Sequence, residues 1–401
     1  MSAGDSIVEN PNWPQLTQNI LRWRRHLHRH PELSHQEHHT LRYLRTELAA
    51  FPELHIDYVK GGGLVARLKT PHPGPVIALR ADIDALPLQE QVASDFASQT
   101  PGVMHACGHD CHTAMLLGAI AALYPQRDRL SGTFIFIFQV GEEMPPGGAK
   151  ALVDSGLLND AQLFFALHLD PLLSGGKLRI KPGVATANRD TFTIRVLGRG
   201  GHSAMPHTCR DPLVAAAALV SALQTVVARE IDPEETAIIS LCSLICGDGT
   251  IARLPDSAEL CGTVRNFSDR VQNDIRAAIT RISSQVCAAL RCEAEVTFSS
   301  WDYRAVHNHP DLSRLALSAA RDALGEENVI EAGRPECVGE DFSEYQRVAP
   351  SCFAWLGAGT AGGENAPLHN VRFCPDESAL PLGVRYYLAV IEQVLRQYQA
   401  E

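Results

Sequence analysis

The chain has 401 residues, enough for two domains that each bury a core, and its 45% apolar and 20% charged residues are ordinary for a globular protein. A formal charge of −11, with no basic run beyond Arg22 to Arg29, argues against nucleic-acid or anionic-membrane partners and leaves a small molecule as the expected ligand. The first 14 residues are polar and carry no signal-like apolar segment, no apolar stretch approaches the roughly 20 residues of a bilayer span, and the eleven cysteines lack any disulfide-framework spacing. A cytoplasmic protein with reduced thiols is expected.

Residues 16–50 read as two helices broken at His30-Pro31, because a residue before proline is pushed out of the helical region. Val76–Arg80, Thr133–Gln139 and Leu163–Leu167 are apolar runs predicted as buried strands, with helices over His112–Tyr124 and Gly148–Ser155 between them. The rhythm then changes. Asp190–Gly198 alternates as a strand, Pro212–Glu230 is a helix opened by Asp211-Pro212, and Thr236–Leu244 and Ala258–Asn266 are strands. A helix over Asp269–Leu290 and a strand over Ala294–Ser299 complete a β-α-β-β-α-β order, the split ferredoxin-like unit. Helix Pro310–Leu324, strand Cys352–Leu356 and helix Leu380–Tyr398 return to the first pattern. The expected division is an α/β domain of residues 1–186 plus 301–401, with an α+β domain of residues 187–300 inserted into it.

Metal-ligand residue types recur at predicted strand ends, where open α/β sheets place their sites. Asp82 and Asp84 follow the first strand, Glu142-Glu143 follow Thr133–Gln139, His168 ends Leu163–Leu167, and His369 follows Cys352–Leu356 and a Gly-rich loop. Cys107-Gly108-His109-Asp110 lies in a turn before a helix. A hydrolytic metal site needs thiolate, imidazole and carboxylate donors plus a base that is not a ligand, and two adjacent glutamates suit that division.

Several segments together carry a resemblance. They are Arg25-His26-Leu27-His28 with Pro31-Glu32-Leu33; Arg80-Ala81-Asp82-Ile83-Asp84-Ala85-Leu86-Pro87; and Met104-His105-Ala106-Cys107-Gly108-His109-Asp110. Gln139-Val140-Gly141-Glu142-Glu143, Gly201-His202-Ser203-Ala204-Met205-Pro206-His207, Gly339-Glu340-Asp341-Phe342 and Leu368-His369 follow in order. In these the chain resembles the dinuclear-metal aminoacylase and carboxypeptidase family, in its hippurate hydrolase branch, which includes plant auxin-conjugate hydrolases. The resemblance implies a mixed-sheet catalytic domain with an inserted ferredoxin-like lid or dimerisation domain. It implies two divalent ions, manganese or zinc, held by Cys107, His109, Glu143, His168 and His369, with Glu142 as catalytic base and Asp84 bracing the ligands. It implies that His202 stabilises the oxyanion, through domain closure or from a partner subunit, and that the inserted domain mediates a homodimer.

The implied activity is hydrolysis of the amide bond of small N-acyl-L-amino acids, the alternative being a dipeptidase or carboxypeptidase of the same superfamily. A cysteine hydrolase using Cys107 and His109 and a metal-free binding module are the competing classes. Two departures from the family pattern are Arg253-Leu254-Pro255 and Arg265-Asn266-Phe267, both expected near the substrate carboxylate, where Arg253 is a candidate contact. His105, His112 and His207 read as structural or supporting residues. The pairs His26/His30 and His35/His39 are read as exposed helical pairs and not as a metal site, because four nearby arginines would repel a cation.

Overall fold

The computed structural model describes residues 6–299, 303–360 and 362–400. The chain divides into two compact units, Met1–Ala185 with Val306–Pro335 and Asp341–Glu401, and Thr186–Ala305 with Glu336–Glu340.

In the first unit, α1 (Trp13–Arg29) starts where Asn12 caps the amide of Gln15, and it stops two residues before Pro31. Helix α2 (His38–Leu48) follows a short loop. The next elements, β1 (His55–Val59) and β2 (Gly63–Lys69), form an antiparallel hairpin that the sequence reading did not contain. Strand β3 (His72–Asp82), helix α3 (His109–Leu123), strand β4 (Ser131–Gln139), helix α4 (Gly148–Asp154), and strands β5 (Leu163–Ser174) and β6 (Leu178–Ile180) come next.

The second unit contains β7 (Asn188–Leu197), α5 (Pro212–Arg229), β8 (Ala237–Cys246), β9 (Ser257–Asn266), α6 (Asp269–Ala289) and β10 (Glu293–Phe298). Its antiparallel sheet runs β8-β9-β7-β10. Phe192, Ile194 and Val196 of β7 pack with Leu219, Leu223 and Val226 of α5 and Ile275, Ile279 and Ile282 of α6 in one core. The chain contributes to this unit twice, where the sequence predicted a single insertion: the Thr186 bridge to Glu336, and the Ala187 amide donating to the Val338 carbonyl at 2.9 Å, bring in residues 336–340. The boundary expected at 300–301 lies outside the described residues.

Back in the first unit, α7 (Pro310–Leu324), β11 (Val329–Glu331), β12 (Ser351–Gly359) and α8 (Leu380–Ala400) complete the fold. The eight-stranded mixed sheet has the order β1-β2-β4-β3-β5-β12-β6-β11. Its centre, β4-β3-β5-β12, is parallel, so the C-terminal ends of these strands share one edge. Period two decides the packing of β4: Phe134, Phe136 and Phe138 enter the core beneath α1, α3 and α8, while Ile135 and Ile137 enter the opposite layer with Phe342 and Tyr345. Each fully buried side chain of this kind contributes about 1.5–3 kcal/mol.

Candidate metal centre

Five segments deliver the candidate ligands. Asp82 ends β3 and Asp84 lies two residues on; Glu142 and Glu143 follow β4 after a left-handed Gly141 (φ 66°). Helix α3 begins at His109, three residues earlier than predicted, because Gly108 takes a left-handed conformation (φ 88°) that a side chain would strain. That start puts His109 and His112 on one helical face. His168 does not end its strand as expected, since β5 runs on to Ser174 with His168 opposite Trp355 of β12. His369 holds a left-handed backbone (φ 62°), pinned by its amide donating to the Ala106 carbonyl at 2.7 Å.

These segments bring the five predicted ligands together. Cys107, Glu143 and His369 each offer a donor atom within 4.8 Å of the others, as do Asp82, His109, His112 and His168, and likewise His109, Glu142 and Glu143. Cys107 Sγ lies 3.5 Å from His168 Nε2, His109 Nε2 lies 3.9 Å from Glu143 Oε1, and His369 Nε2 lies 3.0 Å from the same Glu143 oxygen.

Hydrogen bonds separate candidate ligands from supports. His112 Nε2 accepts the Leu169 amide at 2.9 Å, so its proton is on Nδ1, which donates to Asp82 Oδ1 at 2.6 Å. Asp82 Oδ2 takes Arg80 at 2.8 Å, and Arg80 also reaches Asp341 Oδ1 at 2.9 Å. Asp82 and His112 are therefore occupied, and they hold the wall of the site. Asp84 Oδ1 accepts His109 Nδ1 at 3.0 Å, which aims Nε2 at the centre, the usual arrangement behind a ligating imidazole. His168 Nδ1 donates to the Leu169 carbonyl at 2.8 Å and likewise frees Nε2.

The donor set fits cations. His109 Nε2 is buried without a hydrogen-bond partner among the described residues, a state that costs about 1–3 kcal/mol unless something takes up the atom. Burial pulls the His109 ring down, but Asp82, Asp84 and Glu143 overcome this and hold it at about 10, so a proton there stands in for positive charge. Burial, then the charges of Glu143, Glu142 and Asp82, pushes the Cys107 thiol well above its ordinary value. A pocket that resists ionising its own thiol and holds a proton on His109 accommodates cationic charge among these carboxylates. Thiolate, imidazole and carboxylate donors in adjoining groups suit two divalent ions.

A family model for Peptidase family M20/M25/M40 matches residues 78–393. The chain belongs to this family. It is 40% identical to the N-acyl-L-amino acid amidohydrolase of Geobacillus stearothermophilus, over 73% of this chain and 79% of that one. It is 38% identical to the N-acetylcysteine deacetylase of Bacillus subtilis, over 93% of this chain and 96% of the relative. Among solved structures it is similar to the Bacillus subtilis YXEP protein, described as a dinuclear metal binding peptidase, with a TM-score of 0.80 and 33% identity over 96% of this chain and 99% of that one.

Against this M20 background, the second unit holds the remaining predicted residues. His202 and Arg253 are cross-strand partners in a short ladder, Gly201–His202 against Arg253–Leu254. His202 is exposed, and its Nδ1 accepts the Ala204 amide at 3.1 Å, which leaves the proton on Nε2. Arg253 is half-exposed and pairs with Asp256 at 2.8 Å. Asn266 is buried, with its Oδ1 accepting from Asn188 at 2.9 Å and from the Ser268 amide at 3.1 Å. A second correction concerns His35, which is not helical: it lies in the loop before α2 with φ 64°, while His26 and His30 do meet, with ring centroids 4.8 Å apart. His112, read from the sequence as a supporting residue, does take that place, with both ring nitrogens engaged by Leu169 and Asp82.

Proposed function

We propose that this protein is a metal-dependent amidohydrolase that cleaves small N-acyl-L-amino acids to a carboxylic acid and an amino acid. The observation that carries the reading is the meeting of Cys107, His109, Glu143, His168 and His369 beside Glu142, in a chain of this family. We assign those five as the ligands, Glu142 as the base and Asp84 as the brace of His109. The ions, when bound, acidify a water and draw electron density from the amide carbonyl. Glu142 takes the water's proton as the new C–O bond forms, then delivers it to the amide nitrogen as the C–N bond breaks. The Nε2–H of His202 is assigned to the developing oxyanion and Arg253 to the substrate carboxylate. Thiolate and imidazole donors suit zinc, while the family resemblance favours manganese. A reducing, cytoplasmic setting belongs to the proposal, because a thiol must stay reduced to ligate.

A homodimer through the second unit is also proposed. Its support is the edge strand β8, which exposes Ile238, Leu244 and Ile245, together with the exposed Leu213 and Val214 of α5. Contrary to the expectation that no apolar stretch approaches a bilayer span, helix α5 is long and apolar enough to cross a membrane by length and composition, yet its inner face packs in the unit's core.

The test is a hydrolysis panel of acetyl, benzoyl and indoleacetyl amino acids beside dipeptides, each with manganese and with zinc, on wild type and Glu142→Gln. We expect acyl amino acids to be cleaved in preference to dipeptides. We expect Glu142→Gln to keep its metal and lose about 10²–10⁴-fold or more in turnover. Turnover of dipeptides alone would transfer the reading to the peptidase branch, and a fully active Glu142→Gln would remove the base.

A further inference from the structure

The turn that carries Glu142 is gripped from outside by residues 33–37 of the loop between α1 and α2. Leu33 bridges to Ala85, and the Ala85 amide donates to the Glu32 carbonyl at 2.8 Å, which ties the loop to the segment holding Asp84. Ser34 Oγ donates to Asp84 Oδ2 at 2.7 Å, and that same oxygen accepts the Glu143 amide at 3.0 Å. Glu37 is 2% exposed, and its Oε1 accepts the Gly141 amide at 2.7 Å. On the far side of the glutamate pair, His35 Nε2 lies 3.2 Å from the Met144 carbonyl. The His35 ring also lies flat against Gly141, where an added Cβ would come within 2.4 Å of Cε1. Residues 141, 143 and 144 are thus each held, and residue 142 is carried between them.

We propose that Glu37 is a positioning residue: by holding the Gly141 amide it fixes the Val140–Gly141 peptide plane, one residue before Glu142, and so decides which of the two adjacent carboxylates faces the ions and which faces the water. The geometry demands such a device. Neighbouring side chains diverge from one backbone, so a turn of the Val140–Gly141 peptide, passed on through Gly141, moves both carboxylates at once. A base must come within about 3 Å of the proton it takes, and a misplacement of about 1 Å costs about 10²-fold. The task needs an acceptor oxygen held at this distance, which a carboxyl or a carboxamide of this length supplies. Glu37 lies outside the donor groupings of the metal centre, so it acts through the turn and not on the ions.

The inference rests on the role given to Glu142 above. Its test compares Glu37→Ala, Glu37→Asp and Glu37→Gln with wild type for kcat, KM, bound metal and hydrogen exchange at the Gly141 amide. We expect Ala and Asp to lower kcat about 10- to 100-fold with KM within about twofold and metal content unchanged, and to speed exchange at Gly141. Asp keeps the charge but withdraws the oxygen by one methylene, whereas Gln keeps an oxygen in reach and is expected to restore most of the rate. Where Ala does not fold, the Asp and Gln pair decides. Normal kcat in Glu37→Asp, loss of rate in step with loss of metal, or a Gln variant as slow as Asp overturns the proposal. A wild type inert on every acyl amino acid would instead overturn the activity reading, and exchange at Gly141 would still judge the clamp.

Discussion

Cys107 sits where two chemistries compete. Its Sγ is 3.5 Å from His168 Nε2, a spacing that a thiol–imidazole nucleophile would also show, and this partner is not the His109 that sequence spacing offers. Its surroundings argue for ligation, because burial and three carboxylates oppose a bare thiolate, while a divalent ion reverses that balance. Cys107→Ser is therefore expected to weaken metal retention at least about 10-fold, since even the outer partners of ligands contribute 10–100-fold. Metal analysis after dialysis checks this, and activity that survives both chelation and full metal loss would return Cys107 to the nucleophile class. At this scale the sequence was informative about identities: the residues it named as ligands do converge. It was silent about Glu37 and Ser34, whose roles exist only through hydrogen bonds to residues 50 or more positions away.

Among elements, the loop before α2 has a pH signature of its own in the metal-free protein. Burial first, then the charge of Asp84, raises the Glu37 carboxyl from 4.5 to about 7. Between those values the folded chain holds a proton that the unfolded chain has lost, so this contribution is present below about 4.5 and is lost as pH rises through about 7. Its size is on the order of 3 kcal/mol at most. Urea melts of chelated wild type and Glu37→Gln from pH 5 to 7.5 should show the gap between them narrowing or reversing as pH rises; parallel lines would contradict the shift. The long apolar strands and the β-α-β-β-α-β unit were readable because burial on both faces, or on one, writes itself as a run or an alternation. The β1–β2 hairpin was not read, although Lys60-Gly61-Gly62 offers turn chemistry between two short strands. Neither the bounds of β5 nor the start of α3 followed from periodicity, since pairing with β12 extends one and a left-handed glycine sets the other.

For the whole molecule, the proposed dimer makes the second unit's edge strand the point of attack. A lysine at Ile245, now 65% exposed, places charge on the apolar edge, the device by which natural sheets refuse partners. Ile245→Lys is expected to sediment as a folded monomer at concentrations where wild type is a dimer; a wild type that is monomeric throughout would retire the dimer. The order of the strands has one more consequence. Strand β12 lies in the middle of the large sheet, between β5 and β6, although it is the last strand to be made, and His369 follows it. A chain leaving the ribosome therefore exposes Cys107, His109, Glu143 and His168 long before their last companion exists, and must complete the entire second unit first. Among the candidate donor groupings, the one of Cys107, Glu143 and His369 is therefore the last to be completed.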